Sequence, residues 1–556
     1  MEAYPVWPNL AAMMLGRARE WGERPMLRHW RDGAWAGTSW AAFAGRAARL
    51  ARGLRATGIG GGDRVVLCSE NRPEVLAAEV ALMALGAVPV PAYTTFLPAD
   101  HAHLIRDCAP SAAVVSTPAL AERVGEGARL AGASLRLLGM DPGTGEPLAA
   151  LEAEPADPGA LLAEAGRIPP EQLGCVIYTS GTGGLPRGVM LPHRSMLANL
   201  RGGFELVRPL RLRDELHLSF LPWSHAFEHT IGTFFLLSIG TEIAYGRGVE
   251  HLAGDMAAVR PTIMTVVPRV LEVVKERVLA GVARAPARRR RVFEAALAAG
   301  LRRLDGRATL ADRALDPLYE RAVRRAVRER FGGRVRAMMS GGARLDPEVE
   351  RFYQALGLLV MQGYGQTEAG PAISANTLGA LRIGTVGRPL RGAEVRVAAD
   401  GEVLVRGELV MAGYWGAPEA TAEVLREGWL HTGDVGQLDA DGFLTITDRK
   451  RDLIVLAGGE NVSPARVEAM LCAEGSIAQA VVAGDGRSGL HALLVPAAEA
   501  DEGAVRAALA RANARLAPYE RVQRHRLVPA FTLENGLLTP SHKVRRGLVL
   551  KAHAQR

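Results

Sequence analysis

Lysine is nearly missing from this 556-residue chain: of 67 basic residues only Lys275, Lys450, Lys543 and Lys551 are lysine. Arginine carries the rest of the positive charge, so a position that keeps a compact ammonium in place of a planar guanidinium is a candidate for a specific role. Cysteine is as scarce. Cys68, Cys108, Cys175 and Cys472 show no Cys-x-x-Cys spacing, which argues against a disulfide framework or a zinc ribbon and for buried thiols. Long apolar runs are missing too: the stretch 75–90 is interrupted by Glu79, and 231–239 is too short to span a bilayer. The N-terminal segment has no charged stretch followed by a continuous apolar one, so no secretory signal is read and a cytoplasmic protein is expected. No Gly-Lys-Ser or Gly-Lys-Thr occurs, which excludes a Walker A loop.

What is present describes a globular protein of several units. Hydrophobic residues make up 48% and charged residues 23%, close to ordinary soluble proteins, and the length suits roughly three or four compact units. The net charge of +8 suits an anionic partner, whether nucleic acid, membrane or polyphosphate; a solvated arginine-rich surface is the plainer reading.

Residues 40–165 alternate amphipathic stretches with short apolar runs at 64–68, 88–91 and 112–116, and the pattern resumes from a helix at 195–200 to 267. This predicts α/β units around a largely parallel, doubly wound sheet. Residues 270–331 read as two or three arginine-rich surface helices, with the run Arg288 to Arg291 a solvated helix end or, less commonly, a contact to phospholipid or nucleic acid. Glycine-punctuated β runs from Ala393 to Ile446 predict hairpins and a small barrel. The polar stretch 448–452 reads as an exposed hinge, and 453–556 as a smaller α+β unit.

The strongest local signal is Tyr178-Thr-Ser-Gly-Thr-Gly-Gly-Leu-Pro-Arg-Gly-Val189, after an apolar strand at 175–177 and before the helix near Ser195. Glycines and small hydroxyls let backbone N–H groups approach a polyphosphate, and Arg187 can neutralise it. A flexible surface loop is the plain alternative.

This loop resembles that of the adenylate-forming superfamily of acyl-CoA synthetases, Tyr-Thr-Ser-Gly-Thr-Thr-Gly-x-Pro-Lys-Gly-Val, with Gly183 in place of a threonine and Arg187 in place of a lysine. The resemblance continues in order along nearly the whole chain. It implies contacts with the nucleotide from Thr179, Ser180, Gly181, Thr182, Gly183 and Gly184. Phe220-Leu-Pro-Trp-Ser-His225 is similar to the family's acyl-pocket segment, with His225 facing the reacting carboxylate; a core histidine is the alternative. Ser340-Gly341-Gly342-Ala343 and Gln362-Gly363-Tyr364-Gly365-Gln-Thr367-Glu368 resemble the adenine and α-phosphate segments. There glycines admit the base, Tyr364 offers a stacking face, Thr367 a hydroxyl and Glu368 a hard oxygen for Mg²⁺, shared with Thr179.

In Trp429-Leu-His-Thr-Gly-Asp434 the resemblance makes Asp434 the ribose ligand, an acceptor for two hydroxyls, and Arg449 a second ribose contact. Lys543, in Gly536-Leu-Leu-Thr-Pro-Ser-His-Lys543, matches the catalytic lysine. The fold implied is a large N-terminal domain of doubly wound α/β subdomains plus a small β-barrel over 1–447, a hinge at 448–452, and a small mobile C-terminal α+β domain over 453–556. The activity implied is ATP- and Mg²⁺-dependent formation of acyl-AMP, catalysed by Lys543, Glu368, Thr179, Arg187 and His225, then transfer to coenzyme A with the Gly458-Gly-Glu-Asn461 loop serving that second step. The helical insertion and the C-terminal motif look most like bacterial long-chain fatty-acyl-CoA ligases. Fatty acid, ATP and coenzyme A are the partners implied, with no nucleic acid; monomer or homodimer, and peripheral membrane contact, stay open. Alternatives are a ligase that stops at acyl-adenylate or loads a carrier protein, and a catalytically weak nucleotide-binding scaffold.

Overall fold

The computed structural model describes residues 3–179, 186–450, 452–458, 460–539 and 543–553. A five-stranded, all-parallel sheet orders Val88–Ala92, Arg64–Cys68, Ala112–Val115, Arg136–Gly139 and Glu146–Pro147. Its strands are short apolar runs covered on both faces, as parallel sheets require. The helices Pro73–Ala84, Pro98–Cys108 and Pro118–Ala131 each start on proline, where the missing N–H would have had no partner. Every residue of Pro73–Ala84 except Glu74 is buried, because this helix touches strands of both large sheets.

The second sheet has nine strands, in the order Arg388–Pro389, Ala372–Ala375, Leu359–Gly365, Ala337–Ser340, Ile263–Val266, Leu216–Ser219, Glu242–Tyr245, Pro25–Arg31 and Ala34–Ser39. The strands from Leu359–Gly365 to Pro25–Arg31 are parallel and the outer ones antiparallel. After Leu216–Ser219 the chain adds Glu242–Tyr245 on one side and Ile263–Val266 on the other. That reversal leaves a crevice at the carboxyl ends of the strands, the place where open α/β sheets bind ligands. The two-strand start at 25–39, which the alternation from residue 40 does not reach, completes this sheet.

The helix expected near Ser195 is His193–Val207, and a strand not read from sequence precedes it: Leu173–Thr179 and Arg187–Pro192 pair antiparallel, with Thr179 opposite Arg187. Thr179 and Arg187 are therefore placed by hairpin register. One expectation is corrected here. The stretch 448–452 is not uniformly exposed: Asp448 is buried and Arg449 ends strand Leu444–Arg449, so exposure begins at Lys450.

The hairpins from 394 onward form a five-stranded antiparallel sheet whose ladders do not close into a ring among the described residues. Beyond it the C-terminal unit packs helices Pro464–Cys472, Glu502–Arg515 and Arg546–His553 with a sheet of Ile477–Ala483, Leu490–Pro496 and Val522–Leu527. The insertion is helical as expected: Pro268–Ala283, Ala287–Leu304 and Leu310–Tyr319, the last running through a π-turn at Glu320–Arg324 into Arg325–Glu329. No described helix is long and apolar enough to cross a membrane. The cysteines are unpaired, and burial pushes the Cys68 and Cys108 thiols up to about 12, which keeps them protonated and inert at neutral pH.

Candidate active site

A cavity of about 1070 Å³ opens at the crevice, at the top of the range for a site holding one small ligand. Its polar end is built by four separate segments. The Thr179–Arg187 pair supplies one wall, and Tyr364, Gly365, Gln366, Thr367 and Glu368 extend from strand Leu359–Gly365 into the turn Thr367–Ala369. Arg449 arrives on strand Leu444–Arg449 and Lys543 from the C-terminal unit.

Glu368 is held by Tyr414, whose hydroxyl donates to Oε1 at 2.8 Å, while the Arg187 guanidinium lies 5.4 Å from the Tyr414 ring centre. Burial, and then the Glu368 carboxylate, hold the Tyr414 phenol protonated. It is thus a fixed donor that aims Glu368. Tyr414 reaches this position because Gly413–Tyr414 pairs with strand Arg187–Pro192. Gly188 allows that approach: a side chain there would press on Val176, Tyr178 and Trp415. Sequence reading missed Tyr414. Its one signal is an aromatic pair after glycine, Gly413-Tyr-Trp415, in a chain with only 5% aromatic residues.

Asp434 and Arg449 face each other across strands Trp429–Leu438 and Leu444–Arg449. Arg449 Nε lies 3.1 Å from Asp434 Oδ1 and the Tyr364 hydroxyl donates to Oδ2 at 2.6 Å. Asp434 is almost fully buried and sits just behind the cavity wall rather than on it. Lys543 is in the same group. The protein around it and the Arg449 guanidinium push its pKa down while Asp434 pulls it up, although the residue is exposed to solvent. The backbone brackets it: Lys543 N donates to Thr539 Oγ1 at 3.0 Å and Thr539 N to the Lys543 carbonyl at 2.7 Å. Lys450, a second lysine on the cavity wall, bridges Asp400 at 2.6 Å and Glu402 at 3.0 Å.

His225 lies between the polar and apolar ends. Burial, and next the Lys543 ammonium, lower its pKa to about 4, so it is neutral at physiological pH, and its Nδ1 accepts from Phe227 N at 3.2 Å. The π-helix Phe227–Phe235 follows. Buried Glu228 anchors its first turn, accepting from Ser219 Oγ and Thr265 Oγ1 at 2.6 Å each. Phe227 packs where a side chain on Gly341 would go, and Gly342 needs its glycine for a φ of 79°.

The apolar end is lined by Gly203, Leu206 and Val207 of helix His193–Val207, Ile231 and Phe235 of the π-helix, and Leu390. Gly203, Leu206, Val207 and Leu390 were not read from sequence, since periodicity does not reveal which elements the cavity meets. Of the sequence-predicted residues, Thr179, Arg187, His225, Gly341, Gly342, Gly363, Tyr364, Gly365, Thr367, Glu368, Arg449 and Lys543 line one cavity. Gln362 is buried on its strand and Ala343 is exposed, and neither is on the wall. Ser180, Gly181, Thr182, Gly183 and Gly184 lie outside the described residues, as does Gly459 of the Gly458-Gly-Glu-Asn461 turn.

Among the described residues no cluster of three or more His, Cys, Asp or Glu could cage a metal. One carboxylate, Glu368, with the Thr179 hydroxyl fits Mg²⁺ instead, which keeps water and phosphate ligands and needs few from protein.

Family models for the AMP-binding enzyme and for the AMP-binding enzyme C-terminal domain match residues 16–415 and 451–556. A long-chain-fatty-acid–CoA ligase of Mycobacterium bovis is 33% identical over 98% of this chain and 96% of its own length. The peroxisomal long chain acyl-CoA synthetase 7 of Arabidopsis thaliana is 30% identical over 93% of this chain and 80% of its own. In fold, the chain is similar to the O-succinylbenzoate coenzyme A synthetase of Bacillus subtilis solved with ATP and magnesium, with a TM-score of 0.73, 21% identity and coverage of 96% of this chain and 98% of that one. With two family models covering the chain and a relative aligned along nearly all of it, the protein belongs to the AMP-binding enzymes.

Proposed function

We propose that this protein activates a fatty acid, of the long-chain class, and transfers it to coenzyme A. The observation that carries the reading is the two-ended cavity: Glu368, Arg187 and Lys543 at one end, Gly203, Val207 and Phe235 at the other, and neutral His225 between. In the first step a carboxylate oxygen bonds to the α-phosphorus of ATP and the bond to pyrophosphate breaks. Two anions meet there, so the chain's contribution is to position them and offset charge. Arg187 and Lys543 supply cations, Tyr364 a ring for the base, and Asp434 with Arg449 a grip on the ribose. Mg²⁺ held by Glu368 and Thr179 would neutralise phosphate charge. Neutral His225 faces the acyl carboxylate without adding a proton that would blunt its attack. In the second step the coenzyme A thiolate bonds to the acyl carbon, AMP leaves, and the thiol proton passes to solvent.

We place the activity in the cytoplasm, with peripheral contact to a membrane and as a monomer or homodimer, and read 1–447 and 453–556 as two bodies that re-seat about 448–452 between steps. The defining test is incubation with ATP, Mg²⁺, coenzyme A and acids from hexanoate to stearate, with products read by mass spectrometry. AMP and acyl-CoA in equal amounts support the proposal; acyl-AMP without thioester would point to carrier loading, and neither product to a scaffold.

The wall of the apolar end supplies a sharper expectation. A side-chain carbon on Gly203 would lie 3.2 Å from the Phe235 ring, so Gly203→Leu should fill this part of the channel. It is expected to lower kcat/KM for long acids by roughly ten- to a hundredfold while sparing hexanoate, measured as a chain-length profile. An unchanged profile would place the acyl chain elsewhere.

A further inference from the structure

The helix Leu310–Tyr319 is amphipathic with its apolar face outward. Its acids turn toward neighbouring helices: Asp312 accepts from Arg302 Nε and from Thr309 N, each at 2.9 Å, and Asp316 is bridged by Arg324 at 2.7 Å and Arg303 at 3.3 Å. Tyr319 is its one buried large apolar residue. Leu310, Leu315 and Leu318 are instead 83%, 42% and 53% exposed, and with exposed Ala311 and Ala314 they recur at the spacing of a single helix face. Short helices are held mainly by burying such a face; this one leaves it in solvent.

The surrounding charge says what would cover it. Arg307, Arg313 and Arg321 are exposed and show no ion pair among the described residues, as do Arg288, Arg289, Arg290 and Arg291 at the start of the adjoining helix Ala287–Leu304. Three of the nearby acids are engaged, Asp305 with Arg351, Glu320 with Arg328 and Glu329 with Arg325, and exposed Glu294 on the adjoining helix offsets one of its arginines. Leucines among unpaired guanidinium groups match a partner that is apolar beneath an anionic rim. A symmetric second copy would set these arginines against each other.

We propose that this face docks on a bilayer containing anionic phospholipid. Leu310, Leu315 and Leu318 enter the headgroup boundary, while Arg307, Arg313 and Arg321 sit on phosphates. The assignment specifies the surface behind the peripheral contact proposed above, and its test reads binding without turnover, so it fails or stands apart from the acyl-CoA reading.

The experiment is flotation of the full-length protein, without ATP, with vesicles of phosphatidylcholine alone or mixed with phosphatidylglycerol. Binding to the mixed vesicles is expected to be roughly tenfold tighter and to weaken as salt rises. Combining Leu310→Ser, Leu315→Ser and Leu318→Ser should reduce it roughly tenfold or more. The thermal unfolding midpoint of the variant should match that of the wild type, because all three leucines are exposed; that reports that the variant folds. Equal binding by the variant, or no binding by the wild type, would overturn the proposal. A wild-type dimer that the triple substitution makes monomeric would assign the face to a second copy and overturn it equally.

Discussion

Lys543→Ala is expected to slow acyl-adenylate formation about a thousandfold, while thioester formation from supplied acyl-AMP falls far less. An ammonium ~4 Å from charge developing on the phosphate contributes on the order of 4 kcal/mol at an effective dielectric near 20, and that loss corresponds to about three powers of ten in rate. Lys543 shares the cavity with Arg187, His225 and Glu368, and in the proposed mechanism it moves aside for the thiol to reach the acyl carbon. The pH profile gives a second readout. The protein packed around Lys543, followed by Arg449, lowers its pKa although the residue is exposed, and the proposed role requires the protonated form. Adenylation should therefore be lost as pH rises through a value below the usual lysine figure of about 10.4. Lys543→Arg stays protonated throughout and should flatten that alkaline limb while recovering only part of the rate, because a planar fork does not occupy the place of a compact ammonium. Equal losses in both half-reactions of Lys543→Ala would refute the division of labour.

The scarcity of lysine was an informative sequence signal, and the structure shows how far it reaches. Two of the four, Lys450 and Lys543, stand on the cavity wall. Lys275 lies 5.6 Å from the Phe352 ring centre and Lys551 is exposed on the last helix, so retention alone does not separate function from position. The glycine-rich segments at 340–342 and 363–368 were legible as parts of one cavity because their chemistry is local: a sharp turn and a run of small residues bring the backbone to its wall. The hairpin after Thr179 was not. Its second strand, Arg-Gly-Val-Met-Leu-Pro, gains its partner on the far side only from Gly413–Tyr414, more than two hundred residues later.

The same distance in sequence hid the strand pair at 25–39, which pairs with Glu242–Tyr245, and the acyl wall on helix His193–Val207. That helix has ordinary amphipathic spacing, and only the packing of Gly203 against Phe235 shows which part of its buried face meets the channel. Asp448 reads as an exposed hinge residue because its neighbours are charged, yet strand pairing with Val435 carries it inside. Composition describes a segment's average environment, whereas a strand alternates its side chains between two environments.

Asp434→Ala is expected to raise the KM for ATP about a hundredfold or more, with a smaller effect on kcat once ATP saturates. The carboxylate binds Arg449 at 3.1 Å and accepts from Tyr364 at 2.6 Å, so its removal leaves a half-exposed guanidinium and a phenol without that partner. With the Arg449 side chain half-exposed, losing this charged acceptor costs on the order of 3 kcal/mol, shared between the fold and the nucleotide. Thermal unfolding measured with and without ATP separates the two contributions. If Asp434 serves only to hold its neighbours, Tyr364→Phe and Arg449→Ala together should reproduce its effect on KM. If it also takes the ribose hydroxyls, as its two-oxygen acceptor geometry suits, Asp434→Ala should exceed that pair and should bind 2′,3′-dideoxy-ATP as well as ATP, since the discriminating acceptor is gone. A wild-type enzyme that already bound the dideoxy nucleotide equally well would remove the ribose role, because a buried carboxylate left without its hydroxyl partners must show as lost affinity.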